Sequence, residues 1–209
     1  MSFRACPVFF ITITLFAVTL KVSTLYADPC TGIYSAYQSQ AQTESNASNK
    51  PITLNGPSHC TSGLSKISQI NGPASADQTH FTQALLINGP FHADSIILDK
   101  TISINGPADL INTNTKALTI KGPLHASNSK LGTISLWAES AHFDQTSIQS
   151  LNITNDSAWG SIAKIYLNNH STVTGDIVFT NNPPGIVYID SSSKITGKIT
   201  RGTLVNLPN

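Results

Sequence analysis

The sequence predicts an all-β chain: a single right-handed parallel β-solenoid (β-helix) of about nine short rungs. Three observations carry that prediction. First, a tetrapeptide recurs: Leu54-Asn55-Gly56-Pro57, Ile70-Asn71-Gly72-Pro73, Ile87-Asn88-Gly89-Pro90, Ile104-Asn105-Gly106-Pro107, and the variant Ile120-Lys121-Gly122-Pro123. The leading aliphatic residues lie 16, 17, 17 and 16 positions apart, and self-similarity at a fixed period marks a repeat architecture. Second, the residues one and three after each proline are mostly apolar: Ser58, Ala74, Phe91, Ala108 and Leu124, then Cys60, Ala76, Ala93, Leu110 and Ala126. Between them runs a polar column of His59, Ser75, His92, Asp109 and His125, and on a strand of period two this turns two columns inward and one outward. Third, Ile67, Leu85, Ile102, Leu118, Ile134 and Leu151 close each rung just before the next corner. Two apolar strips and a turn per rung make a narrow coil.

Residues 1–27 read as a secretory signal peptide, with Arg4 ahead of an apolar run from Pro7 to Leu20 that is too short for a stable span, and with cleavage expected after Ala27. Residues 28–50 are polar and lack a sustained period. They read as a small N-terminal cap at Cys30 to Tyr37, in which Ile33, Tyr34 and Tyr37 form a helical turn, followed by a linker. Cleavage removes Cys6 and leaves Cys30 and Cys60, an even count that in an exported chain favours a disulfide. Such a bridge would pin the cap over the first rung.

The solenoid is read over residues 51–209, with the tail from Arg201 as a C-terminal cap. At each corner glycine takes backbone angles closed to other residues, proline fixes its own angle without donating to the ladder, and asparagine tolerates the turn. Asn55, Asn71, Asn88 and Asn105 should stack at the ~4.8 Å strand spacing with their amides bonded along the stack. The corner glycines Gly56, Gly72, Gly89, Gly106 and Gly122 are structural on this reading, because no helix signal or lysine follows them as a phosphate-binding loop requires. After Leu136-Trp137 and Ile153-Thr154 the Gly-Pro is lost while the spacing holds, and a second repeat of 22 residues then aligns Ile165–Ile177 with Val187–Ile199. It sets Tyr166 and Tyr188 side by side on the outside.

In that second repeat, a hydrophobic-x-hydrophobic opening followed by Ser171-Thr172-Val173-Thr174-Gly175 or Ser193-Lys194-Ile195-Thr196-Gly197 resembles the coils of secreted bacterial β-helix proteins such as autotransporter passengers. The 16- to 17-residue rhythm is similar to that of bactofilins. The resemblance implies an exported bacterial β-solenoid.

Without residues 1–27 the chain carries ten basic and eleven acidic side chains and no Lys or Arg run, so neither nucleic acid nor an anionic membrane is a partner, and no stable membrane span remains. Glu44 and Glu139 are its glutamates, and its nine aspartates form no adjacent pair. That argues against the carboxylate clusters of polysaccharide-cleaving β-helices. No catalytic residue and no cofactor is assigned. The one metal-capable set is His92, Asp109 and His125, which have the side chains for zinc or copper. Three ligands in a line converge poorly on a tetrahedral ion, so a solvated polar ladder with both imidazoles near Asp109 is the preferred reading. The function expected is that of a non-enzymatic surface or envelope protein, secreted, periplasmic or at the cell surface. It would present a repetitive polar face for adhesion or structural assembly, with a glycan, a protein or further copies of itself as partner. The alternatives are a carbohydrate-active β-helix enzyme and a filament-forming scaffold.

Overall fold

The computed structural model describes residues 30–32, 52–154, 161–180 and 183–208. The signal peptide read at 1–27, the linker, the helical turn at Ile33 to Tyr37, Trp159 and the loop at Asn181-Asn182 lie outside the described residues. Within them the chain is a parallel β-solenoid of about nine turns without a helix.

Each turn contributes to three parallel ladders, one more than the two apolar strips of the sequence reading. The first holds Ile52–Asn55, Ile67–Asn71, Leu85–Asn88 and Ile102–Asn105. It runs on through the second halves of Asn114–Lys121, Lys130–Trp137 and Ser147–Thr154 to Ile177–Phe179 and Ile199–Thr200. The second ladder begins with the first halves of Ser58–Ser65 and Ala74–Phe81. It passes through Phe91–Asp94, Ala108–Ile111, Leu124–Ser127, Ser140–Asp144, Lys164–Asn168 and Gly185–Ile189 to Gly202–Asn206. The third, the one not foreseen, is made of two- or three-residue pairings through Phe81, Leu98, Thr115, Leu131, Ile148, Val173 and Ile195.

The core is the stack of inward side chains from all three ladders. Ile70, Ile87, Ile104, Ile120, Leu136 and Ile153 are buried from the first, Ala76, Ala93, Leu110, Ala126, Phe143 and Leu167 from the second, and Phe81, Leu98, Leu131 and Ile148 from the third. Apolar area removed from water at roughly 25 cal/mol per Å² drives this packing. The parallel register keeps like residues above one another.

Three corners join the ladders, each with its own chemistry. At the first, the Asn-Gly-Pro corner, Asn71 donates from Nδ2 to Asn55 Oδ1 (2.8 Å), Asn88 to Asn71 (2.8 Å) and Asn105 to Asn88 (2.7 Å). Gly72 there has φ +143°, and a Cβ on it would lie 2.6 Å from the carbonyl oxygen of Gly56. The second corner turns on left-handed residues: Gln78, Ser95, Asn112, Asn128 and Gln145 in successive rungs, with φ between 48° and 57°, and Asn169 and His170 together in the next. The next residue points inward, and at Thr79, Thr113, Ser129, Thr146 and Ser171 it is a buried hydroxyl. Ser129 Oγ accepts from Thr113 N–H (2.9 Å) and donates to Ser127 O (2.7 Å); Ser171 Oγ accepts from Thr146 N–H (3.1 Å). This internal hydroxyl column satisfies backbone groups that the turn takes out of the ladders. The third corner varies in length. Three residues bridge Leu98 and Ile102 but two bridge the equivalent Thr115 and Leu118, which makes one of these rungs a residue longer than the other.

At the first rung Cys30–Gly32 pairs antiparallel with Ser58–Ser65, Cys30 opposite Cys60, and the two cysteines form a disulfide. At the other end Gly202–Asn206, in the tail, continues the second ladder in parallel register with Gly185–Ile189, and Leu204 stays 47% exposed. That strand gives the N–H and C=O groups of the rung beneath their partners.

Candidate functional site

The second ladder carries the outward polar column. His59, Ser75, His92, Asp109 and His125 lie in strict register, each flanked along its strand by buried residues. The column continues through His142, Tyr166 and Tyr188, so four of the six histidines stand in one line. His142 lies 17 residues after His125, and that spacing alone would have found it; alignment on Gly-Pro missed it because the corner before it is Trp137-Ala138-Glu139.

Asp109 sits between two imidazoles and uses a different oxygen for each. His92 Nδ1 donates to Oδ2 at 2.9 Å and His125 Nδ1 to Oδ1 at 2.8 Å. A ring nitrogen facing a carboxylate carries the proton, so the geometry fixes the Nδ1–H tautomer of both rings when they are neutral. His59 Nδ1 lies 2.6 Å from Ser75 Oγ, and its Nε2 is 3.9 Å from Asp77. Toward the other end, the His142 ring stacks on Tyr166 with centroids 4.3 Å apart, and Tyr166 on Tyr188 at 4.9 Å. Partial burial pushes the His142 imidazole below its ordinary pKa, and the nearby His125 adds to the shift. The candidate metal set is thus in one column but is held as a carboxylate clamp. Among the described residues no group of three His, Cys, Asp or Glu is placed to hold a metal ion.

The opposite wall comes from the corners. Pro57, Pro73, Pro90, Pro107 and Pro123 stack as exposed rings, and the backbone fixes their pitch: Ala74 N–H donates to Pro90 O (2.9 Å), Phe91 to Pro107 (3.0 Å) and Ala108 to Pro123 (2.9 Å). Between prolines and imidazoles lies a straight trough of about 960 Å³, floored by Ala74, Phe91, Ala108 and Leu124. Its exposed apolar residues are the prolines, the floor being buried, and no Lys or Arg lines it. Sequence reasoning treated these prolines as turn residues and not as a wall, because nothing in the one-dimensional pattern shows that the rings emerge beside the His column.

Among the carboxylates beside the column at the second corner are Asp94 and Asp190. Hydrogen bonds from Asn112 and Ser95 hold Asp94 below the usual carboxylate range. Partial burial pushes Asp190 up, but bonds from Ser193, the Asn169 N–H and Ser192 outweigh it and hold it at about 2. Both are closed by their partners and serve the turn. Away from the column, Lys121 Nζ lies 5.9 Å from the Trp137 ring centroid.

No family model matches the chain, and no curated protein and no solved structure matches it either.

Proposed function

We propose that the chain is an exported surface or envelope protein whose trough-bearing face engages a long, straight partner, for adhesion or for assembly of the envelope. On this reading residues 1–27 direct export and are removed, the segment after them caps the first rung of a right-handed coil, and the mature protein stands in the periplasm, on the cell surface or outside the cell. The disulfide between Cys30 and Cys60 fits an oxidising compartment. No helix among the described residues is long and apolar enough to cross a membrane.

The observation that carries the reading is the trough itself. One apolar wall and one polar wall run side by side, the prolines over five successive rungs, with each element repeated at the strand spacing of ~4.8 Å. A compact ligand would use one or two rungs. A repeating surface makes repeated contacts with an extended chain, and weak contacts held in series give avidity. Substrate-cleaving grooves gather converging acids or nucleophiles, whereas here the one carboxylate in the lining is shared between two imidazoles.

The test is retention of the purified chain from Cys30 onward on isolated envelope material, with a variant in which His92, His125 and Pro107 are replaced by alanine. Retention of the unaltered chain and its loss in the variant support the reading. Equal retention of both, or of neither, removes it.

A further inference from the structure

We infer that the occupant of the trough is an uncharged, extended, β-linked polysaccharide lying along the stack; this rests on the trough being the binding face. Charge is the first argument. No Lys or Arg lines the trough, and its one carboxylate, Asp109, has an imidazole bound to each oxygen. A uronate or phosphate polymer would find no fixed cation there and would meet that carboxylate. A polycation would find its oxygens already engaged.

Hydrogen-bonding pattern is the second argument. With Nδ1–H of both rings turned to Asp109, the other nitrogen of each neutral ring, Nε2, is an acceptor. His92 and His125 are 51% and 54% exposed at the side chain, and both line the trough. They stand two rungs apart, roughly 10 Å. In an extended β-linked pyranose chain successive rings alternate in orientation, and the same hydroxyl returns to the same side every second sugar over about that distance. The clamp thus fixes the chemical sense of the acceptors, and the rung spacing sets the interval between the residues that carry them.

Shape is the third argument. Proline rings carry no N–H and present CH surface against which the CH faces of pyranose rings pack. A protein strand is disfavoured as the occupant, because Phe91–Asp94, Ala108–Ile111 and Leu124–Ser127 are each paired on both sides and leave no strand edge for an added peptide.

The experiment is titration calorimetry of the chain from Cys30 onward with soluble β-1,4-linked hexasaccharides of neutral sugars, with polygalacturonate, and with a proline-rich peptide as separate probes. The expected result is binding of a neutral oligosaccharide that persists at high salt, weakened about tenfold or more in H92A/H125A. His80→Ala, on the third ladder, should leave it unchanged. Circular dichroism of the variants checks that the stack is intact. Binding of polygalacturonate or the peptide in place of the neutral sugars overturns the inference while leaving the trough as a binding face. Absence of binding by all three probes, with envelope material still retained, overturns it as well; absence of that retention too takes the parent reading down with it.

Discussion

Replacing Gly72 by alanine tests the corner mechanics directly. Gly72 lies at φ +143°, where an L side chain is strained by about 1–3 kcal/mol. The added Cβ would also sit 2.6 Å from the Gly56 carbonyl oxygen and 2.7 Å from its carbon, backbone atoms that cannot rotate away. Relief requires the two rungs to part at this corner. That loosens the Gly56 N–H to Asn71 O bond (2.7 Å), which joins these two rungs, at about 1 kcal/mol. The expected loss is about 2–4 kcal/mol, which for a chain of this size lowers the thermal midpoint by about 4–16 °C. Pro73→Ala is the matched control one residue on: its ring is exposed, and its loss should cost less than about 1 kcal/mol. Urea and thermal unfolding followed by circular dichroism measure both. A Gly72→Ala loss no larger than that of Pro73→Ala would show that neither backbone angle nor rung contact demands glycine there.

Three further outcomes follow from the same geometry. Reduction of Cys30–Cys60, which span 30 residues, should lower stability by about 3–4 kcal/mol, read from unfolding curves with and without dithiothreitol. Ser129→Ala leaves the buried Thr113 N–H without its acceptor and should cost about 1–3 kcal/mol, with faster hydrogen exchange at Thr113 as its local signature. The folded Asp190 carboxyl titrates at about 2, below its ordinary 3.8, so its contribution is present above about pH 4 and is lost as pH falls through 2. Asp190→Asn should therefore be less stable than the parent at pH 7, by under about 1 kcal/mol given solvent screening, and the two should converge near pH 2.

What the sequence revealed depended on how regular each face is. The Asn-Gly-Pro corner recurs with both its spacing and its residue types, so the inward columns through Ala76, Ala93 and Leu110 and the outward column through His92 and Asp109 are placed correctly. The 22-residue repeat likewise sets Tyr166 against Tyr188. The third ladder escaped notice because its pairings are as short as Ile97–Leu98 with Asn114-Thr115, and its inward positions mix Phe81 and Leu98 with Thr115. The neighbouring buried column of Thr113, Ser129 and Thr146 has a loop's composition, and only the backbone partners of those hydroxyls explain why they are inside. The His92–Asp109–His125 clamp was legible as a column. The trough was not, since it depends on the angle at which the first corner delivers the proline rings to the second ladder.

The third corner, with three residues after Leu98 and two after Thr115, acts as the slack in the winding. The one-residue difference between these two rungs is absorbed there without disturbing the register of Ile102 with Leu118 or of Asp109 with His125. Because that corner joins the two ladders that lie away from the His column, a segment grafted between Asp99 and Thr101 would leave the column's own corners untouched. The stack is therefore a ruler with one side free for cargo: a reporter or epitope could be spliced in at successive rungs, each step displacing it by one strand spacing of ~4.8 Å along the axis.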